Sequence, residues 1–145
     1  AAARARVDPL RAGFDPARVA RFDARRIDRL VGNPAIVRHR GKIESVVSNA
    51  RALLALHRAG STLAALAWSV VDGTPRSPRY RSMGEVPART AYSDALAKLL
   101  RAHGFRFVGS TTCQALMQAA GLTNDHLVAC HRHDTVLRLG HRVRA

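Results

Sequence analysis

The residues best suited to chemistry in this sequence are a histidine and a cysteine four positions apart, His126 and Cys130. On a helix, residues four apart project from one face, so the imidazole nitrogen and the thiolate could ligate one zinc ion. Two ligands do not close a tetrahedral site, and His131, His133 or His141 could supply others. The alternative is a packed histidine near a buried cysteine, and the spacing alone leaves both interpretations open.

Asp125 directly precedes His126 and is the one acid between Asp94 and Asp134. A carboxylate there could stabilise oxocarbenium-like charge on a sugar, or orient a water, during cleavage of an N-glycosidic bond. The competing interpretation is that Asp125, beside Asn124, caps the start of a short helix. The sequence shows no Ser-His-Asp or Cys-His catalytic set and no phosphate-loop or dinucleotide glycine pattern. The catalytic group is therefore unassigned, with Asp125 as the candidate.

A glycine-flanked hairpin is predicted at residues 104–112, between two helices. Its glycines allow positive φ and a close approach of other backbone, and a serine begins the following helix. The free N–H groups at that helix start would point outward, where a DNA phosphate is a natural occupant. An ordinary corner between two helices fits the same pattern. The residues that we assign to DNA contact here are Gly104, Val108, Gly109, Ser110 and Thr111.

A second basic element, residues 38–42 (RHRGK), lies where a long helix is predicted to begin. Arg38, Arg40 and Lys42 could clamp a DNA phosphate. Cations are disfavoured at a helix N-terminus, and a bound anion would offset that penalty. The alternative is a solvated basic face of an amphipathic helix.

The charge balance favours an anionic partner. The 145 residues carry 24 Lys plus Arg against 10 Asp plus Glu, a formal charge of +14, which favours nucleic acid or an acidic membrane surface. The apolar stretch at 62–71 is far shorter than the roughly 20 residues of a spanning helix, so we expect no membrane segment. Cys113 and Cys130 are the only cysteines, which makes a reducing cytoplasm the default compartment. A single disulfide between them is the open alternative.

Start signals for helices recur along the first third of the chain. Asp15, followed by Pro16, predicts the N-cap of one short helix, and Asp23 predicts that of another. Asn33 before a further proline repeats the same signal. Apolar residues spaced three and four apart between 43 and 54 then predict the best helix.

The rest of the chain also reads as helices. Gly60 lies just past the end of the long helix, Ser61 and Ser93 begin two more, and another is predicted at about 110–120. No segment alternates long enough to predict a sheet, so the expected fold class is all-α.

We expect residues 1–13 to form a poorly ordered arm, 14–130 a partial helical domain with the hairpin at 104–112, and 131–145 a basic tail. The proline-rich and arginine-rich segment 74–90 reads as an irregular surface connection.

Taken together, these segments resemble bacterial DNA-3-methyladenine glycosylase I, a family of the helix-hairpin-helix DNA glycosylase superfamily. The resemblance covers the chain from about Phe14 to Cys130. It is carried by seven blocks in the family's order: 14–16 (FDP), 38–43 (RHRGKI), 48–52 (SNARA), 93–96 (SDAL), 104–109 (GFRFVG), 117–122 (MQAAGL) and 124–126 (NDH). Seven blocks in order are far more specific than any one of them.

The resemblance implies an all-α enzyme of base-excision repair that acts on double-stranded alkylated DNA. Such an enzyme flips 3-methyladenine out of the duplex and hydrolyses its N-glycosidic bond. The family's structural zinc has four ligands, and a His and a Cys four residues later supply two of them, matching His126 and Cys130. We expect a cytoplasmic, nucleoid-associated protein with no membrane contact and no obligate protein partner.

The resemblance stops at the N-terminus. Family members begin with a Cys-containing segment and a Trp- and Glu-bearing region, which supply the other zinc ligands and the groups that hold the flipped base. The 13 residues before Phe14 contain no Cys, His, Glu, Trp or Tyr. We therefore expect a chain that lacks that segment and has an incomplete base pocket. Such a chain could be inactive on its own. The alternatives are a non-enzymatic helix-hairpin-helix DNA-binding module and a non-functional remnant.

Overall fold

Helices make up the regular structure of this protein. The computed structural model describes residues 12–142. In order, the seven α-helices of that range are α1 (Pro16–Val19), α2 (Ala24–Val31), α3 (Arg40–Arg58), α4 (Leu63–Ser69), α5 (Ala91–Ala102), α6 (Ser110–Ala119) and α7 (His133–Arg142). Two short 3-10 segments, Ala12–Phe14 and Met83–Glu85, accompany them, and the part described contains no strand. The all-α prediction is confirmed.

Side-chain caps set the first helices, as the sequence predicts. Asp15 accepts a hydrogen bond from the Ala17 N–H at 2.9 Å, and Asp23 accepts one from the Arg26 N–H at 2.8 Å. These bonds satisfy donors that have no partner within the helix. The prediction at Asn33 is wrong: its side chain accepts from the backbone two residues on, but the chain makes turns instead of a helix there.

Residues 12–62 and 101–107 belong to one compact unit, built around α3. The buried face of α3 includes Val47 and Ala50, which pack with Val19 of α1. His39 caps α3 by accepting from the Lys42 N–H at 3.2 Å. Gly60, at φ 76°, follows the helix as predicted.

Residues 63–100 and 108–142 belong to the second compact unit. Its core contains side chains from α5 and α6, including Leu96, Leu100 and Met117, each at most 2% exposed. The connection at 74–90 is irregular, as predicted, apart from its 3-10 turn, and backbone bonds tie it to the residues after α6.

The helix α7 is an element that the sequence analysis did not predict, since residues 131–145 read as a basic tail. His133 at its start is buried, and its Nδ1 lies 2.9 Å from the Asp134 carboxylate. Residues 1–11, which make up most of the predicted arm, and residues 143–145 lie outside the described range. None of the helices in the described range is long and apolar enough to cross a bilayer.

Candidate functional site

The first half of the predicted hairpin lies against α3. Gly104 follows α5 at φ 82°, and a Cβ built on it would lie 3.9 Å from the Cβ of Ala52. The Arg106 N–H donates to Asn49 Oδ1 at 2.7 Å, and Asn49 Nδ2 donates to the Arg106 carbonyl at 3.0 Å. One α3 side chain therefore satisfies both backbone groups of a loop residue.

Phe107 is the second anchor of this loop. Its ring meets the His39 ring edge to face, with centroids 6.0 Å apart. A Cβ placed on Gly41 would lie 3.3 Å from Phe107 Cζ and 3.2 Å from His39 Cε1, so the ring uses the space that the glycine leaves. Asn49 and Phe107 were not among the predicted site residues, because nothing in their local sequence marks them as partners.

The basic candidates at the start of α3 divide into two kinds. Arg38, Arg40 and Lys42 are all exposed or half-exposed. Arg40 Nη2 lies 2.6 Å from Asp28 Oδ1, and its Nη1 lies 3.7 Å from Glu44 Oε1. The hydrogen bond and charge of Asp28 raise the Arg40 pKa further above its ordinary value. Among the described ion pairs, none involves Arg38 or Lys42, which leaves those two cations the more available to an anion.

The second half of the hairpin leads into α6. Gly109 is its N-cap residue, in extended conformation, and no side chain caps the helix there. The first backbone bond of the helix joins Cys113 N–H to the Gly109 carbonyl at 2.9 Å. Val108 and Ser110 are half-buried, while Thr111 is exposed. A 10-residue helix whose N-terminus has no side-chain cap offers N–H groups and a positive dipole end to an anion.

Asp125 does not cap a helix, because the residues that follow it, 126–132, form loop and turns and the next helix begins only at His133. Its Oδ2 accepts from Gln114 Nε2 and Gln118 Nε2, both at 2.8 Å. Its Oδ1 accepts from the Thr123 hydroxyl at 2.7 Å. The N-cap interpretation is wrong, and three uncharged donors hold the carboxylate instead.

The donors also fix the orientation of the carboxylate. Gln114 is itself oriented, since its Oε1 accepts from the Thr90 hydroxyl at 2.9 Å and its Nε2 therefore faces Asp125. A carboxylate oxygen has two acceptor positions, so Oδ2 is fully used and Oδ1 keeps one for a further donor such as water.

Asp125 lines a cavity of about 280 Å³ in the second unit. Tyr80 and Tyr92 line the same cavity, and the Arg76 guanidinium stacks 4.9 Å from the centre of the Tyr92 ring. Burial and then the Asp125 charge raise the pKa of the Tyr80 hydroxyl. Aromatic rings with a fixed carboxylate are the groups that bind and orient a planar polar ligand.

His126 and Cys130 come together, although not on a helix. A turn carries the chain between them, closed by the Cys130 N–H donating to the Leu127 carbonyl at 2.8 Å. His126 Nδ1 and Cys130 Sγ lie 3.7 Å apart. A tetrahedral zinc with a Zn–N bond of about 2.05 Å and a Zn–S bond of about 2.3 Å would place these atoms about 3.6 Å apart. The pair therefore fits two zinc ligands.

Within residues 12–142, no third His, Cys, Asp or Glu joins this pair in a group that could hold a metal. His133 is engaged with Asp134, His131 is exposed, and the side chain of His141 lies outside the described part. Cys113 and Cys130 are not bonded to each other, so the disulfide alternative is wrong.

The comparisons with known proteins agree with one another. A family model described as methyladenine glycosylase matches residues 3–133. The chain is 44% identical over 117 residues to DNA-3-methyladenine glycosylase 1 of Escherichia coli K12, and 41% identical over 117 residues to DNA-3-methyladenine glycosylase of Haemophilus influenzae. Each match covers 81% of this chain and 63% of the relative, so the chain spans less than two thirds of the length of these curated relatives.

Solved structures give the same result. A crystal structure of 3-methyladenine DNA glycosylase I superimposes with a TM-score of 0.86 at 44% identity, covering 90% of this chain and 72% of that one. A mutant of the Staphylococcus aureus 3-methyladenine DNA glycosylase I gives 0.82 at 32% identity, covering 89% and 69%. The fold is thus that of the 3-methyladenine DNA glycosylases I. The chain belongs to the methyladenine glycosylase family.

Proposed function

We propose that this chain acts in base-excision repair as a DNA-3-methyladenine glycosylase I-like protein, which hydrolyses the N-glycosidic bond of 3-methyladenine in double-stranded alkylated DNA. The observation that carries the proposal is the family match over residues 3–133. The relatives at 44% and 41% identity bear that activity in their names. The proposed partner is duplex DNA, with no obligate protein partner, in the cytoplasm at the nucleoid.

Two groups of residues would contact the phosphates. In the second unit, Val108, Gly109, Ser110 and Thr111 would present backbone N–H groups and hydroxyls. The N-terminus of α6, which no side chain caps, supports this assignment. Gly104, whose N–H donates to the Arg101 carbonyl within the first unit, would instead allow a close approach of DNA. Arg38 and Lys42 would add cations, while Arg40 is tied to Asp28. The formal charge of +14 supplies the long-range attraction.

Asp125 is the candidate catalytic carboxylate. Hydrolysis of an N-glycosidic bond develops positive charge on the sugar, which a fixed carboxylate stabilises. The three donors of Asp125 hold it in one orientation and leave one acceptor position on Oδ1, enough to orient a single water.

A structural zinc at His126 and Cys130 is the proposed cofactor. The 3.7 Å separation of Nδ1 and Sγ supports it. A cleft of about 490 Å³ lined by both residues gives access from solvent. Bound zinc would stabilise the turn between the two ligands as a cross-link does.

Zinc affinity tests this ligand assignment. We expect Cys130→Ser to weaken binding at least about tenfold in competition with a chromophoric chelator, because it removes one thiolate ligand. Cys113→Ala is the matched control, since Cys113 is buried in the core. Equal affinities of the two variants would remove Cys130 from the site.

Base release tests the function itself. DNA treated with a methylating agent is incubated with this chain, and with the same chain fused to a family-like N-terminal segment, and free 3-methyladenine is measured by chromatography. We expect release by the fused chain, abolished or strongly slowed by Asp125→Asn. Equal release by the two chains would refute the expectation that the base pocket of this chain is incomplete. Salt-dependent duplex binding without release by either chain would support the DNA-binding module instead. The absence of both binding and release would refute the proposal.

A further inference from the structure

The loop of residues 104–107 follows one stripe of α3, all within the first compact unit. Gly104 faces Ala52, Arg106 is bonded to Asn49, and the Phe107 ring lies over Gly41. The α3 positions 41, 45, 49 and 52 are spaced by four, four and three residues, which places them on one helical face. Position 45 is a buried serine, so the whole stripe has small or short side chains that admit the loop backbone.

The conformation of this loop needs external support. Phe107 has φ 58°, a region that a bulky residue adopts only when its surroundings impose it. The residue is also 49% exposed, so burial in a core does not explain the strain. The contacts that hold it are the ring over Gly41 and the two hydrogen bonds of Asn49 to the preceding residue.

The anchored loop lies beside the basic start of α3. Arg106 is exposed, and its backbone is bonded to Asn49, while the ring of the next residue reaches Gly41 in the first turn of α3. Lys42 is exposed in the same part of that helix. Holding the Arg106 backbone there restricts where this exposed cation can lie before any ligand arrives, which lowers the entropic cost of binding a polyanion.

We propose that Asn49 and Gly41 are positioning residues for DNA binding, which act through the loop of residues 104–107 and not by touching DNA. This inference rests on the proposed function, because it assigns the mechanism by which the same surface is prearranged. Asn49 holds the loop backbone through both hydrogen bonds, and Gly41 leaves room for the Phe107 ring. Without them the loop samples other conformations, and binding must select the competent one.

The test is the affinity of the 145-residue chain for a fluorescein-labelled, undamaged duplex of about 20 base pairs, measured by anisotropy at several salt concentrations. If the loop of Asn49→Ala is competent about a tenth of the time, its affinity falls about tenfold. If the variant instead binds without the loop contact, the slope of log K against log salt falls by about 1 for each phosphate that the loop no longer neutralises. Ser48→Ala is the matched control on the same helix, because its hydroxyl bonds to the Ser45 carbonyl of that helix, and we expect it to bind as the wild type does.

Two further measurements separate positioning from folding. Hydrogen exchange of the Arg106 amide, which donates to Asn49, should accelerate in Asn49→Ala. Gly41→Ala raises helix propensity, but its added Cβ also presses on the His39 ring that caps α3, so we expect little change in melting temperature. The same Cβ displaces the Phe107 ring and should weaken DNA binding several-fold. This variant decides the matter if Asn49→Ala fails to fold.

The outcomes distinguish the two proposals. If the wild-type chain does not bind the duplex, the proposed DNA contact fails. If the wild type binds and both variants bind with the same affinity and salt slope, the positioning role is refuted while the proposed function stands.

Discussion

Removing the Asp125 side chain should destabilise the second unit by an amount that its hydrogen bonds predict. Two of its three donors are buried, with Gln114 3% and Thr123 6% exposed. In Asp125→Ala these two donors lose their acceptor, at about 1–3 kcal/mol each, with the lower value for Thr123 because it lines the cavity and water can replace the carboxylate there. Gln118 is exposed and regains water at little cost. The expected loss in the free energy of unfolding is therefore about 2–6 kcal/mol.

Asp125→Asn separates the hydrogen bonds from the charge. Its amide oxygen can accept from both glutamines, and its Nδ2 can donate to the Thr123 hydroxyl, which then reverses its role. Only the extra strength of bonds to a charged acceptor is lost, so we expect a cost of about 1 kcal/mol. Both variants are measured by urea unfolding followed by circular dichroism at neutral pH.

Asp94→Asn is the control, because Asp94 is exposed in the first turn of α5. It should change stability by no more than about 0.5 kcal/mol. The prediction would be refuted if Asp125→Ala lowered the free energy of unfolding by less than about 1 kcal/mol, or by no more than Asp125→Asn does. Either result would mean that the buried donors do not depend on this carboxylate.

Three further outcomes follow from the structure. Lys42→Ala should lower the salt slope of DNA binding by about 0.9, while Arg40→Ala lowers it less because Asp28 already neutralises that cation; equal slopes would contradict this. The hydrogen bond to His133 lowers the pKa of Asp134, so its stabilisation is present above the unfolded pKa and disappears as pH falls through the folded pKa. Acid unfolding of Asp134→Asn should accordingly show less loss of stability below about pH 4 than the wild type, and identical profiles would exclude the contribution. Leu96→Ala should cost about 2–5 kcal/mol in urea unfolding, since Leu96 is fully buried, and a cost near zero would place it outside the core.

Local signals predicted the helix boundaries well. Asp15 and Asp23 cap helices because the bonds that they make span two or three residues and need no tertiary partner. Gly60 follows the end of α3 for an equally local reason, since its positive φ depends on the residue itself and not on a tertiary partner. Asn33 failed because its bond to the backbone two residues on is equally compatible with a turn.

Contacts between distant residues could not be predicted in this way. Asn49 and Arg106 are 57 positions apart, and nothing local marks either as the partner of the other. The environment of Asp125 depends on two glutamines four apart on α6, a pattern visible in the sequence but meaningless until the chain returns to that face. His126 and Cys130 were expected on a helix, and a turn brings the same two atoms together instead.

The first compact unit is assembled from two separate stretches of chain, 12–62 and 101–107. During synthesis α3 emerges long before the segment that covers its stripe of small residues, so Gly41, Asn49 and Ala52 are left without the loop until residue 107 has left the ribosome. Closing a 57-residue separation comes at an entropic cost before its contacts form. A nascent chain stopped at residue 100 would thus contain almost all of this unit and still present an open helical face.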